Sequence, residues 1–151
     1  MKRVLFIFIQ WIWGFPQNAA GVFLYLLKKH ANTGGTYRYA QVIHWDRKDS
    51  LSLGMFLFIG TGCGMRIIKH EYGHTIQSLI LGPFYLILVG IPSYIWCHLP
   101  RCKKQWLSGK VSYFSRYPEN WADRLGHVEH GEEDNIKNVL KQHRKLHSAA
   151  G

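Results

Sequence analysis

The feature that most constrains this chain is the run His70-Glu71-Tyr72-Gly73-His74 near its middle. If the run is helical, each side chain advances about 100° around the axis, so His70 and His74 lie roughly 40° apart on one face, with Glu71 beside them. Two imidazoles placed in this way can bind the same metal ion. A catalytic Zn²⁺ has three protein ligands and keeps a fourth position for water, whose proton a neighbouring carboxylate can remove. The run therefore predicts a helix with two zinc ligands, His70 and His74, and a general base, Glu71.

The five-residue pattern has two free positions and could arise at random in a chain with nine histidines. A second stretch, Glu119 to Arg124, supports the interpretation that the pattern is a metal site. Histidine ligands usually donate their other ring N–H to a carboxylate, which fixes the tautomer and the ring orientation. Glu119 and Asp123 are four residues apart and share a face if the stretch is helical. One of the two carboxylates is then free to bind metal while the other holds a histidine.

The two stretches together resemble the gluzincin metallopeptidases. His-Glu-x-x-His followed by Glu-x-x-Ala-Asp-Arg is similar to thermolysin in its general arrangement and to the membrane-bound heat-shock-type and prenyl-protein endopeptidases in sequence. The run from His70 to Leu81, with Gly82-Pro83 and Gly90 to Ser93, is still more similar to a group of small bacterial proteins that carry HEYGH-x-x-Q-S. The resemblance covers roughly residues 50–126. It implies Zn²⁺ as the cofactor, Glu119 as the third ligand and Asp123 as the residue that orients a histidine, and it leaves the substrate open.

Length and composition favour one folded domain. The chain has 151 residues, of which 47% are hydrophobic and 15% aromatic, which excludes disorder. We expect an apolar segment at 1–30, membrane-associated or a lid, and a zincin-like metallopeptidase domain at 31–151. The fold class expected is mainly α with a small β-hairpin or sheet, that is, α+β.

The net charge of +10 favours a membrane surface over nucleic acid as a partner. Basic residues flank the apolar stretches, and no sequence signature of a nucleic-acid-binding module accompanies them. These residues are Lys2, Arg3, Lys28, Lys29, Arg101, Lys103 and Lys104. The sequence therefore predicts a membrane-associated protein, on the cytoplasmic membrane if the bacterial resemblance holds.

Residues 4–27 carry no charge, but several polar residues and glycines interrupt the run. Pro16 should break a helix near the preceding residue, which predicts two helical segments, about 4–15 and 17–29. They would form an apolar helical hairpin that dips into a bilayer. The alternative is an amphiphilic lid of a soluble domain, and a cleaved signal peptide is the weaker interpretation because no small-residue site ends the run.

The remaining elements follow from local patterns. Residues 37–45 and 51–59 are β-prone and predict a β-hairpin, and the resemblance assigns 51–59 the role of an edge strand that pairs with an extended peptide. The active-site helix should run from Met65 to Leu81 and end at Gly82-Pro83. Residues 84–99 predict a buried helix pair or a re-entrant segment, and 119–125 a further helix. Past Gly131, an apolar stripe predicts a docking helix.

Other groups could compete for metal. His130, His98 or Asp123 could replace Glu119 as the third ligand. Cys97 and Cys102, with His98 between them, could form a small metal site, although their spacing suits a zinc knuckle poorly. The odd number of cysteines argues against a disulfide framework, and we expect free or buried thiols. His143 and His147 are also four residues apart, but no glutamate stands between them in the position of a base.

Three functions remain open from the sequence. The leading hypothesis is a membrane-associated zinc metalloendopeptidase that acts on a peptide or protein. The second is a non-catalytic protein that retains the metal for structure or for binding a partner, although such a site gains nothing from Glu71. The third is a membrane-surface or nucleic-acid-binding protein that acts through its charge, with the histidines incidental.

Overall fold

Four short strands form one mixed sheet in the computed structural model, which describes residues 3–28 and 32–129. The strands lie in the order β1, β2, β4, β3. Their bounds are β1 Asn32–Tyr37, β2 Ala40–His44, β3 Leu51–Leu53 and β4 Phe56–Ile59. Together with the helices they make a mixed α/β fold, which confirms the prediction of helices with a small sheet.

The predicted pairing of the two β-prone runs is wrong. The first run pairs with the residues just before it, and the second folds back on itself. Thus β1 pairs antiparallel with β2 and β3 pairs antiparallel with β4, while β2 and β4 run parallel. The reason is local, because both runs contain a two-residue turn: Arg38 and Gly54 adopt positive φ angles of 52° and 62°. The part of 51–59 that forms an edge of the sheet is β3, whereas β4 lies inside it.

Strand side chains alternate between two small apolar clusters. On one face of the sheet, Val42, Leu57 and Ile59 pack with Tyr72 of the central helix. On the other face, Ile43, Trp45 and Phe58 pack together. Partly buried side chains from the N-terminal region and from β3 and β4 pack against them. This alternation is the period-two pattern of a sheet that is covered on both faces.

The described residues form six α-helices. Their bounds are α1 Arg3–Ile12, α2 Phe15–Leu27, α3 Met65–Leu81, α4 Ile91–His98, α5 Pro100–Leu107 and α6 Glu119–Gly126. Of these, α2 and α3 pack on the sheet. Helix α3 has the predicted bounds and ends at Gly82, whose φ of +54° suits glycine, followed by Pro83. A wider turn at Leu86–Gly90 leads directly into α4.

The prediction of an apolar N-terminal helical hairpin is not supported. Residues 3–12 and 15–27 are helical, but the break falls at Gly14, and Pro16 is accommodated in the first turn of α2, where a missing N–H does no harm. The side chains that these helices bury are mainly polar: Gln10, Gln17 and Asn18 are fully buried. Among the described residues, no helix combines the length and the hydropathy needed to cross a membrane.

Helices α3 and α6 approach each other closely because glycine occurs at their contacts. A Cβ on Gly73 would overlap the carbonyl oxygen of Ala122, and one on Gly126 would overlap the carbonyl oxygen of Lys69. Small residues at such a contact allow two backbones to meet. This approach brings the side chains of Glu119 and Asp123 to the histidine face of α3.

Candidate metal centre

The side chains of His70, His74 and Glu119 converge on one buried point between α3 and α6. Each offers a ligand atom, and these atoms lie within 4.8 Å of one another. Glu119 Oε2 lies 3.0 Å from His70 Nε2 and 3.5 Å from His74 Nε2. The exposed fraction of each of the three residues is 5% or less. These are the histidines and the glutamate that the sequence and its resemblance nominate as ligands.

The separations between these atoms suit a small metal ion. With bonds of about 2.0 Å, two ligand atoms in a tetrahedral zinc site lie about 3.3 Å apart, close to the two separations between Glu119 and the imidazoles. The other carboxylate oxygen, Glu119 Oε1, is buried and has no hydrogen-bond partner among the described residues. Buried charged oxygens without partners are costly and call for a ligand or an ion. The three residues therefore fit a metal ion, and the donor set alone does not fix which one.

Asp123 holds His70 from the side opposite the metal point. Its Oδ1 lies 2.6 Å from His70 Nδ1, and since a carboxylate only accepts, Nδ1 carries the proton. Nε2 is then the atom directed at the metal point. Arg66 donates to Asp123 Oδ2 at 3.3 Å, and its guanidinium also lies 4.0 Å from the ring centroid of Phe114. The buried Arg66 cation thus balances the charge of the carboxylate that orients His70. This role of Arg66 was not predicted from the sequence.

Gln77 holds His74 in the corresponding way, and sequence reasoning missed it. His74 Nδ1 lies 2.7 Å from Gln77 Oε1, while Gln77 Nε2 donates to the Pro118 carbonyl oxygen at 3.1 Å. The amide therefore fixes the histidine and ties α3 to the start of α6 at the same time. The sequence did carry a signal for this contact, namely a glutamine three residues, or about one helical turn, after His74. It was missed because the residue expected to orient a histidine ligand is usually a carboxylate.

Burial and charge act against each other at the ligands. Burial would lower the pKa of His70, but hydrogen bonds to Asp123 and Glu119 raise the pKa to about 10. Burial would raise the pKa of Glu119, but hydrogen bonds from His70 and His74 hold that pKa well below its usual value. A metal needs neutral imidazole, so an ion that binds here must displace the proton on His70 Nε2.

Glu71 is buried beside the histidines but outside the ligand group. Burial raises the pKa of Glu71 above its usual value, while the nearby charges of His74 and His70 lower it. A buried carboxylate with a raised pKa that lies close to a ligand group without belonging to it is a stronger base than an exposed one. This is the position that the sequence predicted for a base.

The competing ligands are placed elsewhere or lie outside the described residues. His98 is exposed at the end of α4, where its ring stacks on Tyr94 and its Nδ1 lies 3.1 Å from the Tyr94 carbonyl oxygen. Asp123 contacts His70 from behind and does not belong to the convergent group. Within residues 3–28 and 32–129, no group with metal-ligand geometry includes Cys97 or Cys102. His130, His143, His147 and the predicted docking helix lie outside the described residues.

Comparisons with protein-family models, with curated proteins and with solved structures give no match to this chain. The chemistry of the centre itself therefore carries the functional argument.

Proposed function

We propose that this protein is a zinc-dependent peptide-bond hydrolase of the gluzincin type. The observation that carries the proposal is the buried convergence of His70, His74 and Glu119, with a fourth ionisable group, Glu71, next to them but outside the ligand set. Two imidazoles and one carboxylate are the donor set of hydrolytic zinc centres that keep a position for water. A centre built only for structure would usually close that position, and it would have no use for Glu71.

In this proposal His70, His74 and Glu119 hold the metal, which when bound supplies a Lewis acid and lowers the pKa of water. Glu71 accepts a proton from the attacking water on a carboxylate oxygen. As the carbon–nitrogen bond of the peptide breaks, Glu71 gives the proton to the leaving amine, so the carboxylate is regenerated. The raised pKa of Glu71 supports the first step, because a carboxylate with a higher pKa is a stronger base.

A peptide is the proposed substrate because an edge strand, β3, lies beside the centre. Leu51 is the exposed residue of this strand, whereas Ser52 is buried and its carbonyl oxygen accepts a hydrogen bond from the Tyr85 hydroxyl at 3.3 Å. Strand β3 pairs with β4 on one side only among the described residues, and Ser52 on β3 contacts Thr75 on α3 through hydroxyls 3.2 Å apart. An extended chain can add to such an edge through main-chain hydrogen bonds. This would align a peptide along α3, where Glu71 and the histidines are located.

The test compares glutamate-to-glutamine substitutions at two positions. Wild type, Glu71→Gln and the exposed Glu129→Gln are loaded with zinc and incubated with a peptide mixture, and new termini are counted by mass spectrometry. We expect one zinc per chain in all three proteins. Cleavage should fall about 10²–10⁴-fold in Glu71→Gln and stay unchanged in Glu129→Gln.

Two outcomes would count against the proposal. Cleavage by Glu71→Gln at the wild-type rate would remove the base from the mechanism. A zinc-loaded wild type that cleaves neither peptides nor unfolded protein would favour the non-catalytic alternative, in which the metal serves structure or binding.

A further inference from the structure

Helix α1 buries Phe6 together with the polar Gln10, and it exposes most of its other apolar side chains. Gln10 is fully buried, whereas the exposed fractions of Val4, Phe8 and Ile12 are 80%, 60% and 63%. These three residues follow the i, i+4, i+8 spacing of one helix face. A helix at the surface of a water-soluble protein shows the opposite arrangement, with its apolar stripe facing the core.

Helix α2 repeats the inversion. Gln17 and Asn18 are fully buried, whereas Phe23 and Leu26 are 64% and 72% exposed. The buried amides are held inside by hydrogen bonds to other parts of the chain, including Gln17 Nε2 to Ser78 Oγ at 2.8 Å and Met55 N to Asn18 Oδ1 at 2.9 Å. The outward direction of the apolar side chains is therefore fixed by the inward bonding of the polar ones.

A third apolar stripe runs along residues 84–95. Its members are 46–66% exposed and are spaced by three or four residues, with one adjacent pair at each of two turns. They are Phe84, Ile87, Leu88, Ile91, Tyr94 and Ile95. The spacing is that of one helical face, and this face is turned away from the protein.

Contacts at Gly82 connect the three helical segments that carry the apolar stripes. The ring of Trp13, between α1 and α2, packs so closely on Gly82 that a Cβ there would overlap it, and Gln17 Nε2 donates to the Gly82 carbonyl oxygen at 3.0 Å. We call the outward faces of α1, α2 and residues 84–95 the apolar surface. Exposed apolar patches on soluble monomers are seldom this extended, and larger ones mark partner or membrane contacts.

The charged residues that flank the three stripes in the sequence are of one sign. Neither residues 1–45 nor residues 72–118 contain an aspartate or glutamate. Arg3 begins α1, Lys28 follows α2, and Lys103 and Lys104 lie exposed on α5, which follows α4. Apolar faces flanked by cations alone match a surface that is apolar below and anionic above.

We propose that the apolar surface docks on an anionic phospholipid bilayer. Its outward side chains enter the acyl region, and the flanking lysines and arginines meet the phosphates of the headgroups. Exposed Trp11, Trp13 and Tyr94 suit the boundary between the two layers, where aromatic side chains with a polar tip are favoured. A second copy of the chain or another protein would match the apolar part but would not need flanks free of acidic residues.

The proposal does not depend on the metal centre and is tested without it. The purified full-length chain is floated with vesicles of phosphatidylcholine, with or without phosphatidylglycerol. We expect flotation with the anionic vesicles, weaker flotation with neutral ones, and partial release by salt, since salt screens the charges and leaves the apolar contact. Brominated lipid should quench tryptophan emission in the bound state.

Substitutions separate the apolar and the charged contributions. Phe8→Glu and Ile87→Glu should each weaken vesicle binding about tenfold or more, because a side chain of this size leaves the acyl layer. Lys103→Gln and Lys104→Gln should each weaken it about fivefold. The matched control is Met65→Glu, also an exposed apolar residue, at the other end of α3 and about 24 Å from Gly82. It should bind as wild type does.

All four test positions are exposed, and circular dichroism with thermal unfolding verifies that each variant is folded. Deleting α1 and α2 would not be a clean test, because Gln10 and Gln17 are bonded to α3. The proposal fails if the chain does not float with anionic vesicles, or if Phe8→Glu and Ile87→Glu bind as well as wild type. It also fails if the chain is a stable dimer that Ile87→Glu dissociates, since the apolar surface would then be covered by a second copy.

Discussion

Helix α3 buries polar side chains on two faces, one against α6 and the other against α1, α2 and β3. Towards α1 and α2, the partners are neutral: Gln10 Nε2 donates to the Thr75 carbonyl oxygen at 3.2 Å, and Ser78 Oγ donates to Gln10 Oε1 at 3.3 Å. Towards α6, the groups are ionisable, and they include His70, Glu119 and the ion pair of Arg66 with Asp123.

The two faces also differ in how their polar atoms are paired by hydrogen bonds. On the α1 and α2 side, Asn18 Nδ2 is within hydrogen-bond distance of three oxygens of Gln10 and Gly14. The uncharged amide oxygen of Gln17 is buried without a hydrogen-bond partner among the described residues. On the α6 face, three potential ligand atoms point at one another, and a carboxylate oxygen has no partner. Neutral groups that bond to each other stabilise a helix contact. Charged groups that converge are expensive to bury, and such clusters are typical of ligand and catalytic sites.

The largest effect we expect is loss of metal from Glu119→Gln. The substitution keeps the shape of the side chain but removes the charge that completes the ligand set, so zinc content should fall from one per chain to nearly none after gel filtration. The fold should persist, because removing a buried charge also removes its desolvation cost. Elemental analysis and thermal unfolding of the metal-free chain check the two parts. Wild-type zinc affinity in Glu119→Gln would mean that the ligand lies elsewhere, with His130 the next to test.

The second prediction concerns the close approach of α6. Gly73→Ala places a methyl group against the carbonyl oxygen of Ala122, so the helices must separate, and we expect a loss of about 3 kcal/mol in the free energy of unfolding. Gly90→Ala is the matched control, because the nearest atom to its Cβ would be 3.7 Å away, and replacing a helical glycine should stabilise by up to about 1 kcal/mol. Urea unfolding of both variants decides the matter. Equal stability of the two would show that α6 does not need this contact.

The third prediction addresses the neutral face. Asn18→Ala leaves the Met55 N–H and the Gln10 carbonyl oxygen without their partner, which should lower the free energy of unfolding by about 2 kcal/mol. Zinc content should remain at the wild-type level, since α6 and its ligands are on the opposite face. A variant that loses zinc while its fold stays intact would show that the two faces are coupled, contrary to the comparison drawn above.

The sequence predicts the metal centre better than it predicts the sheet, for a physical reason. The spacing of His70 and His74, and that of Glu119 and Asp123, is set within one helical turn, so local geometry fixes their faces before anything packs. The structure brings His70, His74 and Glu119 together, which is the geometric part of the prediction, while the roles of these residues stay predictions. Strand pairing is non-local, and the preference of each β-prone run for its own tight turn could not be weighed from the pattern.

The buried glutamines were missed because their sequence signal points the other way. In the N-terminal run, Gln10 and Gln17 look like interruptions of an apolar segment, and from the sequence alone polar residues are assigned to the outside of a helix. The structure places them inside because Ser78 and the main chain of α3 offer partners for them. Only the position of a distant helix makes that burial favourable, and this information is not local.

The smallest effect expected distinguishes the two supports of the histidines. Removing a side chain that orients a metal-bound histidine typically lowers metal affinity about 10–100-fold. For Asp123→Ala we expect a loss of zinc affinity near the upper end of this range. The substitution removes a charged acceptor and leaves Arg66 buried without its counter-charge. For Gln77→Met, which keeps the length of the side chain, we expect a loss of zinc affinity of about tenfold, since a neutral acceptor makes the imidazole a stronger ligand by less than a charged one does. Zinc competition with a chelator measures both affinities. If Gln77→Met loses as much affinity as Asp123→Ala, then the tie from Gln77 to the Pro118 carbonyl oxygen, which anchors the start of α6 and hence Glu119, matters more than the charge of the acceptor.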